Sequence, residues 1–425
     1  MVYLKYEYMD MGAYNLHIIK TNKFKTITVE VNFREKMDEN LVTMRNLLKG
    51  VLLTTNKNFT SERELIKETE NLYDLKLISA TTRIGNYNNL AFKVRFLNEK
   101  YTEEYMNQDS IEFLLDIIFN PDLENNKFRK DILDKCKLKL EKSIKGLSDN
   151  KLKFALFNLL ASTKNMPYSY NAYGKLEDLE KINVDNLYEY YKKVLNDNYV
   201  DVFVVGDVDS TKIKEIFKEK FKVNTYKKVQ NDILVKELKP RQRIVKLKDQ
   251  DSANQTQLTI LCSLNDLTEF ERKYVLLVYS EMLGGSSNSL LFDTVREKNS
   301  YAYYVNALSK AYDNIMVIYA GIEPGNADNV LKLVKKTLVN IGKGKFEDKL
   351  LESAKETIIS SIKAGKDSPS GIINTYYAKI LADSLLFDER IEKIAKVTRE
   401  DIIELSHKIS MHTLYLLEGG CNEGD

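Results

Sequence analysis

Histidine and cysteine are scarce in this chain, with three of each in 425 residues. His17 stands alone. His407 and His412 are five apart in SHKISMH with no acid between them. They read as a helix-end histidine favoured by the helix dipole and an unrelated strand histidine. Two imidazoles one helical turn apart, the usual start of a zinc site on a helix, are missing. Cys136, Cys262 and Cys421 have no paired spacing, which excludes a disulfide framework or a metal knuckle. Cys136 and Cys262 read as buried thiols in a reducing compartment. There are only five prolines, and none falls inside a predicted strand. No apolar run approaches the roughly eighteen residues of a membrane span. The start, MVYLKYEYMDMGAY, lacks the basic patch and apolar run of a signal peptide. These absences point to a cytoplasmic location with no membrane partner. Charge of one sign is missing too: 64 Lys and Arg face 62 Asp and Glu, interspersed along the chain. That balance gives no reason to expect nucleic acid as a partner.

What is present supports packed domains. The chain is 43% hydrophobic and 10% aromatic, and its length exceeds one ordinary core. Alternation predicts strands near 14–20, 24–33, 75–82 and 88–97, and an apolar run predicts another over 199–208. Helical patterns cover 39–53, 61–72, 103–118, 124–146, 151–162, 177–195 and 210–220. The helix at 61 opens on Thr60-Ser61 before Glu64, a capping box.

The second half repeats this order. Strands are predicted near 241–248, 254–264, 301–310, 314–322 and 412–418. Helices are predicted near 268–283, 326–341, 346–364, 369–385 and 398–408. One local match makes the repeat concrete: Phe128 precedes Ser143-Ile144-Lys145 at the same separation as Phe346 precedes Ser361-Ile362-Lys363. Runs of strands beside clusters of helices argue α+β rather than a doubly wound sheet. The expected organisation is two tandem, similar α+β domains, mainly antiparallel sheet with helices packed against it. The boundaries are 1–221 and 241–425, joined by a polar linker at 222–240 that ends in Pro240.

Several motifs of other chemistries are missing. There is no G-x-x-x-x-G-K-[ST], no G-x-G-x-x-G after a strand and no C-x-x-C, and no serine sits in an elbow. GDVDS (206–210) lacks the further ligands of a calcium loop and reads as a helix N-cap. The most informative stretch is LGGSSNSLLFDTVREKNSYAYYV (283–305). A glycine pair opens a short amphipathic helix ending on Arg296, and Tyr303 follows in an aromatic strand. From residues alone, Arg296 is an ordinary helix end and Tyr303 a strand residue.

This stretch resembles the M16 (insulinase or pitrilysin-like) metallopeptidase family, in its bacterial and mitochondrial-processing branch. NPDLENNKF (120–128), PYSYNAYGKLEDLEKI (167–182) and VVGDVD (204–209) extend the resemblance over essentially the whole chain. Peptidases of the family carry H-x-x-E-H on a helix, where two histidines hold zinc and the glutamate takes a proton from the metal-bound water. The matching stretch here is Leu47-Leu48-Lys49-Gly50-Val51, without a histidine or a carboxylate. The third-ligand region falls near Lys137-Leu138, with Glu141 out of register as a solvated helix residue. The resemblance therefore implies no zinc cofactor in this chain.

Arg296 and Tyr303 match the family's arginine and tyrosine that reach the peptide carbonyl, where a guanidinium and a phenol stabilise developing negative charge. Strand alternation places Tyr301 and Tyr303 on one face and Tyr304 on the other. Gly284 and Gly285 serve either as a helix cap or as a close approach for substrate backbone. Strand 75–82 corresponds to the edge on which family substrates add as an extra strand. The expected role is a zinc-less subunit that binds unfolded peptide for a zinc-bearing M16 paralogue in a heterodimer. The alternative is a peptide-binding or assembly protein, with itself as homodimer partner and no part in hydrolysis.

Overall fold

The computed structural model describes residues 4–222 and 232–420. Its elements in chain order begin with β1 (Lys5–Asp10), β2 (Asn15–Lys20), β3 (Thr26–Lys36), α1 (Val42–Leu52), α2 (Glu62–Asn71), β4 (Lys76–Ile84) and β5 (Tyr87–Leu97). Then come α3 (Met106–Phe119), β6 (Leu123–Glu124), β7 (Lys127–Phe128), α4 (Lys130–Lys145), α5 (Lys151–Ala161), α6 (Leu176–Lys181), α7 (Val184–Asp197), β8 (Tyr199–Gly206) and α8 (Ser210–Lys220). The second half holds β9 (Val245–Asp251), β10 (Thr256–Leu264), α9 (Leu276–Gly284), β11 (Ala302–Lys310), β12 (Ile315–Ile322) and α10 (Ala327–Gly342). It ends with α11 (Asp348–Gly365), α12 (Pro369–Ala382), α13 (Phe387–Ala395), α14 (Arg399–His407) and β13 (Ile409–Gly419). No described helix is long and apolar enough to cross a membrane.

Contacts divide the chain into two units: 1–145 with 171–231, and 146–170 with 232–425. The first holds a six-stranded sheet in the order β1-β2-β8-β3-β5-β4, antiparallel except for the β2–β8 pair. The second holds five strands in the order β11-β12-β10-β13-β9, antiparallel except for β13–β9. From the parallel end, β2-β8-β3-β5-β4 matches β9-β13-β10-β12-β11 strand for strand. The α+β repeat is therefore a repeat of topology, with β1 added to the first unit. Helices α4 and α11 start two residues after Phe128 and Phe346, the anchors of the sequence match.

Strand β3 shows why the first sheet forms. Ile27, Val29, Val31 and Phe33 alternate onto one face and join the apolar core with Leu47, Leu48, Val51, Phe92 and Leu114. Local signals fix the helix ends. Ser61 accepts from the Glu64 N–H at 3.3 Å, and the Glu64 carboxylate reaches back to the Thr60 N–H at 2.8 Å. The acid thus caps the residue before the N-cap. Asp209 in GDVDS accepts from the Thr211 N–H and caps α8. The single helix predicted over 177–195 is two, because Asn183 and Asn186 form a reciprocal cap that starts α7 afresh.

Two boundaries depart from expectation. Helix α5 lies inside the expected 1–221 domain yet packs in the second unit. Its Ala155 and Leu159 share a core with Leu261, Val317, Tyr415 and Leu417, and Asn158 donates to the Tyr415 hydroxyl at 2.8 Å. Of the expected linker at 222–240, residues 223–231 lie outside the described residues. Residues 232–240 run extended along the second unit, with Val235 and Leu238 buried and the Val235 N–H donating to the Tyr312 carbonyl.

Candidate functional site

In the first unit the relevant helix is α1, and its apolar residues decide its seat. Leu47, Leu48, Val51 and Leu52 are buried in the core. Arg45 on the same helix is fully buried, with Glu35, the Tyr190 hydroxyl and the Phe33 carbonyl around its guanidinium. Gly50 faces α4 so closely that an added Cβ would lie 3.5 Å from the Cys136 sulfur. Thr54 donates to the Gly50 carbonyl at 2.7 Å and touches Cys136 Sγ at 3.5 Å. Burial pushes the Cys136 thiol above its usual range, as it does Cys262, which rises to about 12.

The segment PYSYNAYGKLEDLEKI closes on this helix through its second half. Gly174 adopts a left-handed φ of +95°, and a Cβ there would collide with Thr43 Oγ1 at 2.1 Å. Thr43 donates to Asp178 and accepts from the Lys175 N–H. Asn46 donates to the Ala172 carbonyl at 2.9 Å and accepts from the Thr81 hydroxyl of β4 at 2.8 Å. Strand β4 is an edge strand. Its central residues Leu77–Thr82 carry no charge, and Ile78 is 55% exposed. The edge at the other end of the sheet, β1, carries Lys5, Glu7 and Asp10. Charged edges resist strand addition; uncharged ones invite it.

In the second unit, Arg296 lies in a π-helical turn (Phe292–Glu297), with its guanidinium 4.8 Å from the Phe292 ring centre. Its ion-pair contact is the adjacent Glu297, at 3.9 Å. The chain then reverses through Ser300, at a left-handed φ of 54°. The Ser300 and Tyr301 N–H groups donate to the Arg296 and Val295 carbonyls. This turn brings the end of the helix to the start of β11. In the β11–β12 ladder Ala302 pairs with Ile322 and Tyr304 with Gly321, so Tyr303 is the extra residue of a β-bulge. It is 58% exposed. Tyr304 is half-buried and donates to Gln257, and burial raises its phenol. Because Tyr301 precedes the strand and the bulge interrupts it, simple alternation does not relate Tyr301 to Tyr303.

The glycine pair has a packing role visible in the fold. A Cβ on Gly284 would lie 2.6 Å from the Ala307 backbone nitrogen of β11. Its absence lets α9 approach the strand. Gly285 caps α9 in right-handed conformation, with no space beside Glu281 for a side chain. Like β4, β11 is an edge strand, uncharged from Ala302 to Ser309. The opposite edge, β9, carries Lys246, Lys248, Asp249 and Asp251.

The histidines take separate places. His17 is buried in β2 between the Tyr6 hydroxyl at 2.8 Å and Asp201 Oδ1 at 3.4 Å, stacked on Phe203. This network had no sequence signal, because His17 and Asp201 are 184 positions apart. His407 ends α14, and His412 is buried in β13 against the Thr413 hydroxyl. Among the described residues no cluster of three or more His, Cys, Asp or Glu could hold a metal.

A family model described as Peptidase M16 inactive domain matches residues 181–358. The Bacillus subtilis protein called probable inactive metalloprotease YmfF is 27% identical over 415 residues, 96% of each chain. Over nearly its whole length the chain is therefore similar to M16-type proteins. Another M16-like relative, the uncharacterized zinc protease YmxG of B. subtilis, is 23% identical over 397 residues, 87% of this chain and 92% of that protein. Among solved structures, a conserved protein from Enterococcus faecalis V583 superposes with a TM-score of 0.90 at 23% identity, covering 99% of this chain and 100% of that one. The peptidase M16 inactive domain from Pseudomonas fluorescens gives 0.78 at 14%, with 99% of both chains covered.

The M16 zinc does not fit this chain. At the H-x-x-E-H register that the resemblance implies, ligand and base positions would fall on Leu47, Gly50 and Val51, and Gly50 faces the buried Cys136 thiol. Near the third-ligand position Leu138 points to solvent, and Glu141 pairs with Lys145. The chain is thus M16-like without the H-x-x-E-H metal motif of the peptidases.

Proposed function

We propose that this chain is a zinc-less M16 subunit that binds unfolded peptide and presents its carbonyl to a zinc-bearing M16 partner. The observation that carries the reading is the placement of Arg296 and Tyr303. Both are largely exposed, both are set by irregular backbone, a π-turn and a bulge, and neither is engaged in a buried network. A guanidinium and a phenol so placed can donate hydrogen bonds to a carbonyl oxygen gaining negative charge. The metal chemistry belongs to the partner.

A second reading, a peptide-binding or assembly protein with no part in hydrolysis, is favoured by the uncharged central stretches of the edge strands β4 and β11, Leu77–Thr82 and Ala302–Ser309. These offer main-chain hydrogen bonds whatever Arg296 and Tyr303 do. The same fold occurs in a chain of Complex III2 from Candida albicans, at a TM-score of 0.74.

The test is reconstitution. The purified chain is mixed with an H-x-x-E-H-bearing M16 paralogue from the same genome, and cleavage of a quenched fluorescent peptide is followed. Co-elution and cleavage only in the mixture are expected. A paralogue fully active alone, with no complex formed, would leave the binding-protein reading.

A further inference from the structure

We infer that Lys49 is a carboxylate-binding residue, placed to receive an acidic group of a polypeptide segment lying along β4. The inference rests on the peptide-binding reading and adds the chemical class of the segment. Three observations lead to it.

The first is the position of the amine. Lys49 lies one turn after Asn46 on α1, and its Nζ stands 3.5 Å from Asn46 Oδ1, the atom that also accepts the Thr81 hydroxyl of β4. The ammonium therefore sits beside the edge strand, on the side of the sheet covered by α1. The second is its lack of a counter-charge. No carboxylate pairs with Lys49 among the described residues, whereas Arg45 on the same helix is neutralised by Glu35. Lys135 and Lys139 of α4 are both held by Glu62.

The third is its surroundings. Lys49 is half-buried, and burial lowers its ammonium from the ordinary lysine range. A cation taken partly out of water without a partner gains from an anion more than a solvated surface lysine does. Strand β4 beside it is an edge whose central residues Leu77–Thr82 carry no charge, between Lys76 and Arg83 at its ends, and it can pair with an added strand. A segment laid on that edge would bring every second side chain to the Lys49 side. An Asp or Glu there, or the terminal carboxylate of a short peptide, would complete the ion pair.

The probes are fluorescein-labelled nonapeptides of Val, Ser and Thr. One set carries a single Asp walked along the chain and a matched set carries Asn. A third pair ends in a free carboxylate or a carboxamide. Dissociation constants are measured by anisotropy on the full chain. At least one acidic peptide is expected to bind about tenfold to a hundredfold more tightly than its neutral counterpart, the usual scale of a charge-assisted hydrogen bond. Whether Asp or the terminal carboxylate shows the gain identifies the source.

Lys49→Met should erase that difference and leave the neutral peptides unchanged; Lys49→Arg should keep much of it. Neutral and acidic peptides binding equally to the wild type, or a preference surviving Lys49→Met, would overturn the inference while leaving peptide binding intact. No binding by any peptide would overturn both. Should Lys49→Met fold poorly, reductive ¹³C-methylation of the wild type gives a second readout. The Lys49 signal, assigned with Lys49→Arg, should titrate below the other lysines and move upward on adding the acidic peptide. An unmoved signal counts against the inference.

Discussion

Gly50 faces Cys136 across the α1–α4 contact, and a Cβ on Gly50 would lie 3.5 Å from the sulfur. By the resemblance, Gly50 stands where M16 peptidases carry the glutamate that takes a proton from water. Here it is the point where two helices close over a buried thiol, and the flanking ligand positions, Leu47 and Val51, are buried with it. Core residues stand where the resemblance would place a metal site.

Opening that core has a measurable cost. Leu47→His places a polar ring where a fully buried side chain packs in the apolar core of the first unit. It should lower the unfolding free energy by about 2–4 kcal/mol, from lost apolar burial and an unsatisfied ring nitrogen. Urea denaturation reads this directly, and unchanged stability would show that the inner face of α1 is not sealed.

Gly174 makes a second prediction. Its φ of +95° and the 2.1 Å approach to Thr43 Oγ1 leave no room for a side chain. Gly174→Ala should cost about 1–3 kcal/mol through backbone strain and the displaced Thr43. Thr43→Gly in the same chain should recover only the part due to the Thr43 side chain, since the Thr43 Cα would still lie 2.7 Å from the new Cβ, and a double-mutant cycle would detect that part as coupling.

The buried Asp201 predicts a pH dependence. Burial raises its carboxyl, but the hydrogen bond and charge of His17, then Arg34 and Asn15, outweigh it and hold the group below the usual aspartate range. A depressed folded value means the unfolded state binds the proton first. The associated stability is therefore complete above the unfolded value of about 3.9 and is lost as the pH falls below it towards the lower folded value. Asp201→Asn should flatten that acid limb and cost about 3 kcal/mol at neutral pH by stranding its partners. An unaltered acid limb in urea titrations from pH 6 to 3 would contradict the assignment.

Much of the fold was legible in the sequence because its signals are local. The alternation TITVEVNF gave β3, the Thr60-Ser61-Glu64 cap gave α2, and the paired Phe anchors gave the repeat. Strand β1, KYEYMD, escaped because its charges mark a guarded edge rather than a half-buried strand. Helix α13, FDERIEKIA, escaped because it is short and follows closely on α12. The second-unit home of α5 was invisible, since its apolar residues say that it packs but not where. At the site, the apolar character of Leu47 and Val51 could be read from the sequence, and both are buried. The bulge at Tyr303 could not, because only cross-strand register reveals it. Lys49 was in view as part of LLKGV, yet its missing counter-charge depends on residues far away in the chain.

The central claim is that Arg296 and Tyr303 serve a carbonyl in a reaction whose metal lies on another chain. Because both side chains are exposed, Arg296→Ala and Tyr303→Phe should change the stability of this chain by no more than about 0.5 kcal/mol. The decisive measurement is the turnover of a fluorogenic peptide by the reconstituted pair, with each variant replacing the wild-type chain at saturating concentration. A fall of about a hundredfold in kcat for Arg296→Ala and a clear loss for Tyr303→Phe, with complex formation intact, is the predicted result. Unchanged turnover with both variants would contradict it.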